Sequence, residues 1–175
     1  MQWFRAAWVA PLLAVAACGQ VGVEQGATGG TLCFDYYQRC VDPVFNAVLV
    51  NEGNVFTCAA SGCHQNPGSA GGAFKIFPGQ VPLASIADPA QVHQAPIYAN
   101  FLSAKGAAYL GAPRESFLIR KPLVEGVLHG GGRVFANDMA PGARQFLYWI
   151  TNRASDELSP QCAQLFDPGL QCKAF

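Results

Sequence analysis

Charge is scarce in this chain. Only 13% of its 175 residues are charged, 11 basic and 11 acidic, where about 25% is average. No basic patch or cluster appears, so nucleic acid finds no electrostatic footprint and is not an expected partner. Histidine occurs only 3 times, which leaves little for acid–base catalysis. No apolar run reaches the roughly 20 residues that a bilayer-spanning helix needs. No nucleophile elbow, phosphate-binding loop or paired-carboxylate motif stands out, and the chain is expected not to be an enzyme. No internal repeat is visible.

Glycine and cysteine are well represented. The chain holds 19 Gly and 12 Pro, above the average of roughly 12% for the two together. Such a composition predicts short helices joined by long turns, with a limited core that a large apolar cofactor would complete. Low charge also favours association with other proteins or with further copies of the chain.

The first residues read as an export signal. Met1 to Arg5 carry one positive charge, and an apolar, small-residue run follows from Ala6 to Ala17, interrupted by Pro11. This has the length of a secretory h-region. It ends in Val15-Ala16-Ala17-Cys18, which looks like a bacterial lipobox. Cleavage before Cys18 would expose that thiol and its amine to acylation, and more than one acyl chain gives stable anchoring. Gly19, and not Asp, follows Cys18, so the outer membrane or cell surface is the expected destination. A lipid-anchored protein facing the periplasm or the exterior follows. Residues 18–30 read as a flexible tether.

One stretch carries chemistry. In Cys58-Ala59-Ala60-Ser61-Gly62-Cys63-His64, two cysteines precede a histidine that follows the second directly. This is the logic of covalent haem attachment: two thiols add across the haem vinyl groups, and the adjacent imidazole reaches the iron. The usual spacer between the cysteines is two residues; here it is four, a known longer variant. One such motif implies one haem c, with Cys58 and Cys63 as attachment points and His64 as proximal ligand. Structural zinc is disfavoured, because no second close ligand pair accompanies the first.

Seven cysteines are present. With Cys18 assigned to lipid and Cys58 and Cys63 to haem, Cys33, Cys40, Cys162 and Cys172 remain. Four cysteines allow three connectivities: local pairs and pairs joining the N-terminal segment to the tail are equally allowed. Disulfides fit an oxidising compartment. The competing reading makes three disulfides from all six, Cys58–Cys63 included. It leaves a haem-free, stapled surface lipoprotein that acts as a binding or structural module.

Apolar residues recur at helical spacing from Phe34 to Val50, with Asp42-Pro43 expected to start a new helix, Asp42 as N-cap. Asn51-Glu52-Gly53-Asn54 breaks it. A Gly-rich loop, 68–72, precedes an extended Ala73–Phe77. Helix is expected between Ala90 and Leu110 and from Ala143 to Asn152. Pro122 limits any helix over 116–123. The expected divisions are a leader at 1–17, the tether at 18–30, a haem domain at 31–155 and a cysteine-containing tail at 156–175.

Over about residues 44–152 the chain resembles the monohaem cytochrome-c-like domains of bacterial surface lipoproteins. The pieces run in order: the Cys58–His64 motif, Gly71-Gly72-Ala73-Phe74-Lys75-Ile76, Glu115 to Leu123 with its Arg-Lys-Pro-Leu, His129-Gly130-Gly131-Gly132 with Phe135, and Trp149-Ile150. The resemblance implies a mostly α, cytochrome-c-like fold of short helices and long loops around one covalent haem. It implies electron transfer with redox protein partners. It also ranks the sixth iron ligand. His129, in the His-Gly-Gly-Gly loop, comes first. Met139, whose Met-Ala-Pro-Gly is similar to a Met-Pro-Pro-Gly loop, comes second. His93, in a helical stretch with no motif around it, comes third. Phe74, Phe77, Phe117, Leu118 and Trp149 are candidate wall residues, and Arg120, Lys121 or Arg133 are candidates to neutralise the propionates.

Overall fold

The structure is a computed structural model and describes residues 29–68 and 71–175. The leader at 1–17, Cys18 and most of the tether lie outside the described residues. The expected mostly helical, cytochrome-c-like fold is not what the chain forms. Helix makes up 39% of it, beside a small two-stranded sheet and much loop. The physical reason lies in the prolines. Pro43, Pro89, Pro96 and Pro141 each sit in the first turn of a helix, where the missing N–H costs nothing, and they divide the chain into short units. The longest helices have 11 residues, and among the described residues none is long and apolar enough to cross a membrane.

The first helical stretch has three parts: α1 (Phe34–Tyr36), a π-helical turn (Tyr37–Val41) and α2 (Asp42–Asn46). Asp42 is not the N-cap. It is the first residue of α2, buried, and its carboxylate accepts hydrogen bonds from the Tyr37 hydroxyl at 3.0 Å and from Asn100 Nδ2 at 2.9 Å. The helix also stops before Val48. An antiparallel hairpin follows, β1 (Leu49–Asn51) and β2 (Asn54–Phe56). Glu52 and Gly53 at its tip both have positive φ, 51° and 78°, as a two-residue type I′ turn requires. Leu49 pairs with Phe56 and packs against the core, while Val50 and Val55 pair on the exposed face.

Helices α3 (Pro89–Gln94) and α4 (Pro96–Gly106) fall where the apolar spacing places helix. Helix α5 (Phe117–Leu123) contains Pro122 and ends one residue beyond it, at a left-handed Val124. Helix α6 (Pro141–Thr151) closes the set. The core is aromatic. Tyr37 packs on Phe101 and Trp149, with ring centres 5.5 and 5.3 Å apart, and Phe45 packs on Phe74 and Phe146 at 5.2 and 4.8 Å. Each such ring contributes about 1.5–3 kcal/mol through burial. The Trp149 indole also donates to the Cys33 carbonyl at 3.0 Å.

The tail folds back onto the first helices. Cys33 pairs with Cys162 and Cys40 with Cys172, the connectivity that joins the two ends of the domain. Cys162, Leu165 and Phe166 are buried in the same core as α1 and α6. Removing a native disulfide from a small exported domain costs about 2–5 kcal/mol.

Burial raises the Asp42 pKa above its ordinary value of 3.8, against the opposing hydrogen bonds from Asn100 and Tyr37. The folded state therefore holds that proton more tightly than the unfolded chain does. This contribution to stability is complete below the unfolded-state pKa and is lost as pH rises through the folded-state pKa. Thermal melts from about pH 4 to about pH 7 are expected to show Asp42→Asn losing part of the decline that the wild type shows over this window. Superimposable pH profiles would remove the buried carboxylate from the stability account.

Candidate functional site

The hairpin delivers the chain to Cys58. From there a run of tight turns forms: Ala60 N–H donates to the Thr57 carbonyl, Cys63 N–H to Ala60, and His64 N–H back to the Cys58 carbonyl at 3.0 Å. The last bond closes the four-residue spacer into a compact loop. Cys58, Cys63 and His64 all line one cavity. The small residues between the cysteines allow this, and Ala59, the only buried one, anchors the loop through its N–H to the Phe45 carbonyl.

Cys58 and Cys63 carry free thiols, while the other four described cysteines are paired. Burial, and secondarily the neighbouring Cys63, pushes the Cys58 thiol up to about 11. It is protonated at neutral pH and is not an activated nucleophile.

His64 is held by the segment that follows the glycine loop. Its Nδ1 lies 2.9 Å from the Phe74 carbonyl oxygen, a bond in which the ring must donate. That fixes the proton on Nδ1 and leaves Nε2 with its lone pair. Burial lowers the His64 pKa, the Phe74 bond opposes this, and His129, Lys121 and Lys75 lower it further. A neutral imidazole is the metal-binding form. Gly71 packs directly on this ring. A Cβ there would collide with the Cys63 carbonyl oxygen and with His64 Nδ1.

His129 lies opposite. Its loop turns on itself: Gly132 N–H donates to the His129 carbonyl at 2.9 Å, and His129 Nδ1 donates to the Gly132 carbonyl at 2.7 Å. Gly132 makes this possible at a φ of 73°, a conformation that favours glycine. The His129 tautomer is therefore fixed as His64's is, with Nε2 left over. The two imidazoles are parallel to within 10°, and their ring centres are 6.2 Å apart.

Two cavities, of 470 and 450 Å³, flank the histidine pair, and both are lined by Cys58, His64, Gly71, Lys121 and His129. The first is walled by Phe45, Phe74, Leu118 and Phe146, with Leu102 and Phe117 at its rim, and the second reaches Cys63 and Leu128. Leu102, Phe117 and Leu128 are large apolar residues left 49%, 53% and 92% exposed. A haem fits this donor set: two free thiols, two imidazoles whose Nδ1 atoms are each bonded to a backbone carbonyl, and an apolar wall. A bare ion does not, because among the described residues no group of three or more His, Cys, Asp and Glu side chains converges. Iron already held in a macrocycle needs only two protein ligands.

The other candidates lie elsewhere. Met139 is 61% exposed and lines neither cavity. His93 packs at a tilt against Tyr98, with ring centres 4.7 Å apart, and lies 3.9 Å from Glu157. Of the candidate wall residues, Phe74, Phe117 and Leu118 line the first cavity; Phe77 and Trp149 line neither. Of the candidate cations, Lys121 lines both cavities, whereas Arg120 pairs with Glu115 and Arg133 with Glu52. Sequence reasoning missed Phe45, Phe146, Leu102 and Leu128, because apolar spacing marks burial without saying what lies on the buried face.

Gly71→Ala is expected to cost about 1–3 kcal/mol, as overpacking does, and to move the His64 ring. Gly62→Ala is the control, since a Cβ there meets nothing within 4 Å. Urea unfolding of both variants decides. Equal stabilities would show that the close approach at Gly71 carries no constraint. No family model, no curated protein and no solved structure matches this chain.

Proposed function

We propose that this protein is a one-electron carrier with a single covalently attached c-type haem, exported and anchored by lipid at Cys18. The observation that carries the proposal is the pair of parallel imidazoles 6.2 Å apart, next to two free thiols in the Cys58–His64 motif. In this reading Cys58 and Cys63 would hold the haem covalently, and His64 and His129 would ligate its iron. When bound, the haem supplies one-electron redox chemistry at its iron.

The chain's own residues do the rest. The bonds from His64 to Phe74 and from His129 to Gly132 hold each ring in the tautomer that presents Nε2. Phe45, Phe74 and Phe146 wall one side against water, and the exposed Leu102, Phe117 and Leu128 would supply apolar surface to a bound haem. Lys121 brings a positive charge to the edge of both cavities, suited to a propionate. Two histidine ligands would suit one-electron transfer with redox protein partners rather than catalysis. They also place the potential below that of a His–Met site. The disulfides fit the oxidising compartment that export implies.

The test is a pyridine haemochrome spectrum after acid–acetone extraction, on protein made in a host that attaches haem. A c-type band that stays with the protein is expected, and the Cys58→Ala/Cys63→Ala variant should release its haem into the solvent. A colourless wild type would retire the reading in favour of a haem-free stapled lipoprotein. Met139→Ala is expected to keep the wild-type spectrum, whereas His129→Ala should convert the low-spin iron to high-spin. The opposite pattern would make Met139 the ligand.

Lipid anchoring is tested separately. Labelled fatty acid should enter the wild type and be absent from Cys18→Ala. Equal incorporation would leave an ordinary secretory leader.

A further inference from the structure

Asn100 is completely buried in the middle of α4, and every polar atom of its side chain is used. Its Oδ1 accepts from the Phe77 N–H at 2.7 Å, and its Nδ2 donates to the Phe77 carbonyl and to Asp42 Oδ1, both at 2.9 Å. One helical turn on, the Ser103 hydroxyl accepts from the Lys75 N–H at 2.7 Å. These two side chains share a face of α4, and they hold the short segment 74–77 from one side.

The other side of that segment holds His64. The Phe74 carbonyl takes the Nδ1 proton, and Ile76 N–H donates to the His64 carbonyl at 2.7 Å. The ring and the backbone of His64 are thus both fixed by four residues that α4 fixes in turn. Asp42 aims Asn100: its Oδ1 is shared between Asn100 and the Tyr37 hydroxyl, and its Oδ2 lies 3.2 Å from Asn46 Nδ2. An asparagine with its amide reversed would face Asp42 with its own oxygen, so the carboxylate permits one orientation only.

We propose that Asn100, oriented by Asp42 and assisted by Ser103, is the positioning residue for the His64 imidazole. It sets the strength of the Nδ1–H bond and hence the basicity of Nε2. The inference rests on reading His64 as an iron ligand for its effect on potential, but not for its effect on the ring itself. His129 provides an internal control, because its own loop fixes it through Gly132 with no help from α4.

The first readout needs no haem. Long-range ¹⁵N–¹H spectra of the full chain carrying ¹⁵N-histidine, isolated without haem, report the tautomer of each ring. Wild-type His64 is expected as the Nδ1–H form. Asn100→Ala and Ser103→Ala should each give a mixture at His64 and leave His129 unchanged, and Ser103→Thr, which keeps the hydroxyl, should restore the wild-type signal. The second readout is the reduction potential of the haem-loaded protein. A weaker Nδ1–H bond lowers ligand basicity, so the potential should move upward in the two alanine variants and stay in place in Ser103→Thr. If Asn100→Ala does not fold, Ser103→Ala carries both readouts. Folded variants with wild-type tautomers at His64, or with equal changes at His64 and His129, would overturn the proposal. Loss of the tautomer preference in a protein that never takes up haem would sustain the positioning role while removing the iron reading.

Discussion

The two disulfides are the constraint on which the rest of the molecule depends. Cys33–Cys162 and Cys40–Cys172 close loops of 129 and 132 residues in sequence, so nearly the whole described chain lies between their ends. The unfolded chain loses much of its freedom, more so for long loops in the chain-entropy account. Few regular elements are then needed for a fixed shape. Against this strap the aromatic rings of Tyr37, Phe101 and Trp149 pack, and α4 and α6 take their places. The site sits on the far side of that core: Phe45 and Phe146 belong to the core on one face and wall the first cavity on the other.

The closeness of Cys58, Cys63 and His64 was legible from their adjacency in the chain, and the helices over α4 and α6 because their apolar residues recur at helical intervals. Other features were not legible. Asn51-Glu52-Gly53-Asn54 reads as a break after a helix that reaches Val50, yet it is the end of a hairpin, and Val48 to Val50 leave the helix because that turn gives the strands a partner. Asp42-Pro43 carries an N-cap signature, but tertiary contacts with Tyr37 and Asn100 draw the carboxylate inward instead. The mostly helical, cytochrome-c-like fold failed for a related reason. Order among short motifs constrains a site more than it constrains the length of the elements between them.

The site itself divides the same way. His64 announces itself by adjacency to Cys63. His129 needed the glycines that follow it, and their use is local: Gly132 supplies the carbonyl that fixes the ring. Met139 has a comparable local signature, and its place outside both cavities, with no contact to His64, separates the two. Asn100 and Ser103 could not be found from sequence, since a polar residue on an apolar helix face gives no hint of the segment it bonds. Gly71 carries the same lesson, because a close approach to a ring more than five residues away leaves no local mark.

The central proposal is that His64 and His129 would both ligate one haem iron. Low-temperature electron paramagnetic resonance of the oxidised protein tests it most directly, because the signal reports both ligand identity and the angle between the ligand planes. Rings parallel to within 10° predict a rhombic low-spin signal of the bis-imidazole type. A high-spin signal, or a low-spin signal of the strongly anisotropic type that crossed ligand planes give, would contradict the account.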